Sequence, residues 1–94
     1  MMSFQILIPT PLRQFTNNQE SVTVEGKSVG EGLKNLCTRH SALQKHLYSD
    51  DGRLRNFVNI YVNDEDIRYL QKEATQVAEK DVVSIIPSIA GGRE

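Results

Sequence analysis

Hydrophobic and polar residues alternate from the start of the chain. In "FQILI", Phe4, Ile6 and Ile8 fall on one face and Gln5 and Leu7 on the other. That period of two predicts a strand, stopped where Pro9 and Pro11 remove backbone donors. "QFTNNQE" then supplies turn residues, and Val22 and Val24 of "SVTVEG" mark one face of a second strand. The Asn pair favours chain reversal, so the two runs are expected to form a hairpin.

The period then changes. Ser28 stands three residues before Glu31, the spacing of a capping box in which each side chain satisfies the other's backbone N–H. Val29, Leu33, Leu36, Cys37 and His40 follow at helical spacing, and Leu43 and Leu47 suggest a second short helical piece after Ser41. Gly30 and Gly32 each weaken an exposed helix by about 1 kcal/mol relative to Ala, so this helix is expected to be held by its apolar stripe. "SDDGR" reads as a turn. "FVNIYVN" reads as a strand with Val58, Ile60 and Val62 set against Phe57, Asn59 and Tyr61. "NDED" leads to a short segment around "IRYL". A last strand, "VVSII", has Val83 and Ile85 on one face and Val82, Ser84 and Ile86 on the other.

The order is therefore strand, strand, helix, strand, short strand, strand. One amphipathic helix covers only one face of a sheet. The expected fold is α+β: a mixed sheet of about four to five strands packed on one main helix, with the first and last strands side by side. That is a β-grasp, or ubiquitin-like, arrangement. Residues 1–87 would form this domain, and 88–94 a flexible C-terminal tail.

Composition narrows the function classes. A chain of 94 residues supports a single modest core. No apolar run approaches the roughly 20 residues of a membrane span, and no basic region precedes the short apolar start, so neither a membrane role nor a secretory signal is expected. A net charge of −1, with eleven Lys and Arg scattered and forming no basic stripe, argues against nucleic acid. Acidic clusters at Asp64–Asp66, Asp50–Asp51 and Glu79/Asp81 read as solvated turns or, more sharply, as a surface for a basic partner. With one cysteine there is no internal disulfide, and a cytoplasmic protein fits.

Other candidate chemistry is thin. Cys37 lies on the helix's apolar stripe and is expected to be buried and inert. His40 and His46 are too few for a metal site, "SDDGR" lacks the later oxygen ligands of a calcium loop, and a single thiol excludes an iron–sulfur cluster. No metal site, resident cofactor or catalytic nucleophile–base set is expected.

The tail is more informative. Pro87 ends the last strand, after which side chains shrink from Ile89 to Ala90 and then to Gly91 and Gly92. Paired glycines let a backbone pass through a channel too narrow for a Cβ. They would bring a terminal Gly92 carboxylate up to a nucleotide's α-phosphate. Ala90, Gly91 and Gly92 are therefore the candidate channel residues. Arg93 and Glu94 block this chemistry, since they lock Gly92 in a peptide bond.

"DVVSIIPSIAGG" (81–92) resembles the C-terminal signature of the MoaD/ThiS family of ubiquitin-like sulfur carriers. "IPTPLRQFTNNQESV" and "DDGRLRNFVNIYVNDEDIRYL" resemble the branch serving actinobacterial cysteine synthesis. This resemblance implies that an E1-like activating enzyme of the MoeB/ThiF type, carrying ATP and Mg, adenylates Gly92. Sulfur then replaces the adenylate, and the resulting thiocarboxylate delivers sulfide to a PLP-dependent cysteine synthase. It further implies removal of Arg93 and Glu94 by a JAMM-type metalloprotease, and partner docking through apolar residues of the exposed sheet face. Ile86 matches such a position, with Tyr61 and Leu7 as further candidates. Sulfur donation to molybdopterin or thiamine synthesis, and a ubiquitin-like protein modifier, stay open as alternatives.

Overall fold

The computed structural model describes residues 3–87. Five strands form one mixed sheet: β1 (Ser3–Leu7), β2 (Ser21–Glu25), β3 (Val58–Val62), β4 (Glu65–Asp66) and β5 (Val82–Pro87). Their order across the sheet is β2-β1-β5-β3-β4, with β1 and β5 parallel and every other pair antiparallel. First and last strands thus lie together at the centre, and the fold is the expected β-grasp. No helix among the described residues is long and apolar enough to cross a membrane.

The alternation read from the sequence sets the two faces. Phe4, Ile6, Val22, Val24, Val58, Ile60, Val62, Val83 and Ile85 all point into the core. Helix α1 (Val29–Arg39) closes that core with Val29, Gly32, Leu33, Leu36 and Cys37. A 3₁₀ turn at Ser41–Leu43 and the short α2 (Gln44–Leu47) add Leu43 and Leu47. Gly32 is where helix and sheet come closest. A Cβ there would stand 2.9 Å from Phe4 Cε2 and nearer still to Cζ, so the glycine lets the aromatic ring sit against the helix backbone. Arg39 and Asn35 donate to the carbonyls of Thr23 and Glu25, tying α1 to β2, which forms one edge of the sheet.

Four local expectations are corrected. The stretch after β1 is not all turn, because residues Thr10–Thr16 form a 3₁₀ helix that buries Leu12 and Thr16. Pro11, its second residue, favours it with a pre-set φ, and Asn17 and Asn18, at φ 56° and 64°, end it by reversing the chain. The cap of α1 is also displaced. Ser28 Oγ accepts from the Glu31 N–H at 3.2 Å as expected, but the Glu31 carboxylate accepts from the Lys27 N–H at 2.7 Å instead of that of Ser28. Phe57 precedes β3 in a turn and is exposed, since the strand begins at Val58. Finally, the short strand is Glu65–Asp66, and Ile67–Tyr69 is a 3₁₀ turn. Asn63 and Asp64 at φ 50° and 79° form the two-residue loop joining β3 to β4.

Candidate functional site

Strand β5 carries the chain from the core to the candidate tail. Its inward residues Val83 and Ile85 are buried, while Ile86 faces out with 47% of its surface exposed. Leu7 on β1 pairs with Ser84, and Ser84 pairs with Tyr61 on β3. Directly paired residues share a face and adjacent strands lie about 4.8 Å apart. Leu7, Ser84 and Tyr61 therefore form a row across three strands, with Ile86 one step further along β5 on the same side. Leu7 is 40% exposed and Tyr61 half-buried. The three residues singled out in the sequence for docking thus converge around the small side chain of Ser84. The alternation that makes one face of these strands a core leaves Leu7 and Ile86 on the other, exposed among the described residues.

The far side of this face ends in an ion pair. Asp66, paired with Tyr61 across β3–β4, accepts from Arg68 Nη2 at 2.7 Å and from the Arg68 backbone N–H at 2.8 Å. These hydrogen bonds hold the Asp66 carboxyl below the usual carboxylate range. The Asp66 side chain is buried, while that of its partner Arg68 is exposed. Beyond it Tyr69 is 86% exposed. The sequence reading passed over this pair, although Asp66 and Arg68 are two residues apart in the acidic "NDEDIR" cluster.

Pro87, the last described residue, pairs with Val58 at the first residue of β3, so it lies beside the loop of residues 53–57. Ala90, Gly91, Gly92, Arg93 and Glu94, the candidate channel and cleaved extension, lie outside the described residues. Cys37 is buried as expected, and burial pushes its thiol up to about 11. It therefore stays protonated and unreactive near neutral pH. Burial, aided by the nearby Glu73 carboxylate, likewise raises the Tyr48 phenol, whose hydroxyl finds no partner in hydrogen-bonding geometry among the described residues. Among the described residues, no three or more His, Cys, Asp or Glu side chains gather as metal ligands.

A family model described as the ThiS family matches residues 6–92. The chain belongs to the ThiS family. Among this family member's relatives, the "Sulfur carrier protein CysO" of Mycobacterium tuberculosis is 42% identical over 93 residues, covering 97% of this chain and all of the relative. A "Putative sulfur carrier protein" of Archaeoglobus fulgidus is 45% identical over 91 residues with the same coverage. In the crystal structure of the Amycolatopsis orientalis BexX/CysO complex, a 35% identical chain superposes with a TM-score of 0.85, covering 95% of this chain and 99% of that one. The likeness seen in three stretches of sequence thus extends over nearly the whole chain.

Proposed function

We propose that this chain is a sulfur carrier protein, a co-substrate rather than an enzyme. Its Gly92 carboxylate, freed of Arg93 and Glu94, is adenylated and converted to a thiocarboxylate that donates sulfur in cysteine biosynthesis. The observation that carries this reading is the end-to-end likeness to sulfur carriers, with a family match that runs to Gly92 itself.

The chemistry asks little of the carrier's side chains. Gly92's carboxylate attacks the α-phosphate of ATP on an E1-like enzyme and pyrophosphate leaves. A sulfur donor then displaces AMP, leaving the acyl group bonded to sulfur. The activating enzyme supplies the Mg²⁺ and the electrostatic stabilisation of phosphoryl transfer. The carrier supplies a rigid β-grasp body, a narrow tail and a recognition face made by Leu7, Tyr61 and Ile86. Their convergence next to the end of β5 supports that role, because a partner that admits the tail meets this face at the same time. The single sulfur-bearing side chain that could compete, Cys37, is held protonated in the core.

Intact mass of the untagged protein from its native cells tests the proposal. The expected species ends at Gly92 with one oxygen replaced by sulfur, and it should transfer that sulfur to a PLP-dependent cysteine synthase. Thiocarboxylate that serves only molybdopterin or thiazole synthesis would redirect the pathway. Isopeptide adducts through Gly92, with no thiocarboxylate, would replace the carrier role with protein modification. In reconstitution, a chain truncated at Gly92 should be adenylated without protease while the 94-residue chain is not. Equal rates for the two would refute the need for cleavage.

A further inference from the structure

A groove of about 360 Å³ opens beside the point where β5 ends. Arg53, Arg55, Arg68 and Lys72 line it, with Glu73 the only acid there among the described residues and Val58, the partner of Pro87, in its wall. Four of the chain's eleven Lys and Arg therefore meet here with one of its twelve acids, in a protein of net charge −1. The cations looked scattered in sequence; folding gathers these four by bringing the 53–57 loop against the segment after β4. Their existing partners leave most of that charge available. Arg68 is paired with Asp66, but Arg53 meets Asp51 only at 3.9 Å with 86% of its side chain exposed, and Arg55 donates its Nε–H to the neutral carbonyl of Lys45.

Lys72 adds an independent observation. Its backbone lies at φ 53°, in the left-handed region. Every other described residue with a positive φ is Asn, Asp or Gly, the types that occupy this region at least cost. A lysine holds the position despite roughly 1 kcal/mol of strain, and the Thr75 N–H to Lys72 carbonyl bond at 3.0 Å secures it.

We propose that this groove is an electrostatic docking site for an acidic rim on the activating enzyme, around the channel that admits the tail. The inference rests on the sulfur-carrier reading for the tail's entry into a partner. It assigns the partner's surface chemistry, which that reading leaves open. Five residues separate Pro87 from Gly92 inclusive of the latter, a reach of at most roughly 18 Å. Any channel that takes in Gly92 therefore has its mouth close to Pro87, near both Ile86 of the apolar face and Val58 in the wall of the cationic groove. Carboxylates on that mouth would meet Arg53, Arg55 and Lys72 across a solvent-accessible boundary. Charge there speeds encounter and sets orientation more than it adds affinity. Four cations in one groove are fewer than the 6–10 phosphate contacts of a typical nucleic-acid interface.

The test is ATP–pyrophosphate exchange by the activating enzyme purified from the same cells, with the Gly92-terminated carrier as the varied substrate. Arg53→Glu and Lys72→Glu should each raise the KM for the carrier about tenfold at low salt with kcat unchanged, and the difference should shrink at high salt. Lys72→Gly removes the charge while suiting the left-handed backbone, so it should raise KM less but without loss of stability by urea titration. Lys34→Glu, on the exposed side of α1 and outside the groove, should match wild type. Unchanged KM in the groove variants, an equal rise with Lys34→Glu, or an effect on kcat alone would each overturn the docking site. Binding of a single-stranded RNA probe that the same variants abolish would assign the groove to nucleic acid and overturn it too. Absence of exchange with the wild-type Gly92-terminated chain would overturn the sulfur-carrier reading and this inference with it.

Discussion

The two faces of the sheet are built from the same strands and answer to different demands. On the inner face, Phe4, Ile6, Val24, Ile60, Val83 and Ile85 pack against α1 with almost no exposed surface. On the outer face, the neighbouring residues Leu7, Ser84, Tyr61 and Ile86 have no helix above them among the described residues. Strand geometry treats the two faces alike, since a period of two generates both. Packing does not. The inner face has shape constraints at every position, to the point that Gly32 must be a glycine for Phe4 to fit. The outer face tolerates many side chains as far as folding is concerned, so its apolar residues are free to serve recognition. Under the proposed function, stability and binding fall to alternate residues of one strand.

The widest contrast should come from Ile6→Ala on the inner face. Deleting its buried side chain is expected to cost about 2–5 kcal/mol, read as a lower urea midpoint at unchanged slope. A loss as small as that of a surface substitution would break the comparison.

Alkaline pH probes the same core through Cys37. Burial makes its thiol harder to ionise in the folded chain, pushing it up to about 11 from the 9.0 of an exposed cysteine. Stability is therefore full below about pH 9 and falls as pH rises toward 11, because only the unfolded chain releases the proton in that window. The loss across this window amounts to about 2–3 kcal/mol. The raised Tyr48 phenol adds to the fall once pH passes about 10, where an exposed tyrosine ionises. Denaturation curves across this range should be flatter for Cys37→Ala than for the parent, and flatter again with Tyr48→Phe. Parallel slopes would mean that burial does not hold the thiol protonated.

Gly32→Ala should cost about 1–3 kcal/mol by overpacking, and Phe4→Leu in the same chain should recover part of that loss. Additive losses would show that the two residues do not compete for one space.

The smallest stability effect belongs to the outer face. Leu7→Ser and Ile86→Ser should each change stability by less than about 0.5 kcal/mol while weakening activation of the tail. An Ile86→Ser variant that unfolds as readily as Ile6→Ala would erase the distinction between the faces.

By itself, the sequence determined the elements with repeating patterns. Alternation in β1, β2, β3 and β5 and the helical stripe of α1 report local backbone geometry directly, because each residue's neighbours at two or at three to four positions share its face. The same patterns made Cys37 a core residue and left Leu7, Tyr61 and Ile86 on the opposite side of their strands. The glycine pair and its proline were equally plain as letters. Features without a repeat were missed: the 3₁₀ helix at Thr10–Thr16 is too short for a period, and the shift of Glu31's bond to Lys27 depends on how the chain enters α1. Tertiary structure alone decided which cations meet. Arg53, Arg55, Arg68 and Lys72 span twenty positions of the chain, and they share a groove because the short β4 and the turns after it return the chain toward the 53–57 loop. Register likewise put Leu7 and Tyr61 on either side of Ser84. Periodicity specifies the direction of a side chain relative to its own backbone; proximity between distant segments comes only from the pairing of strands.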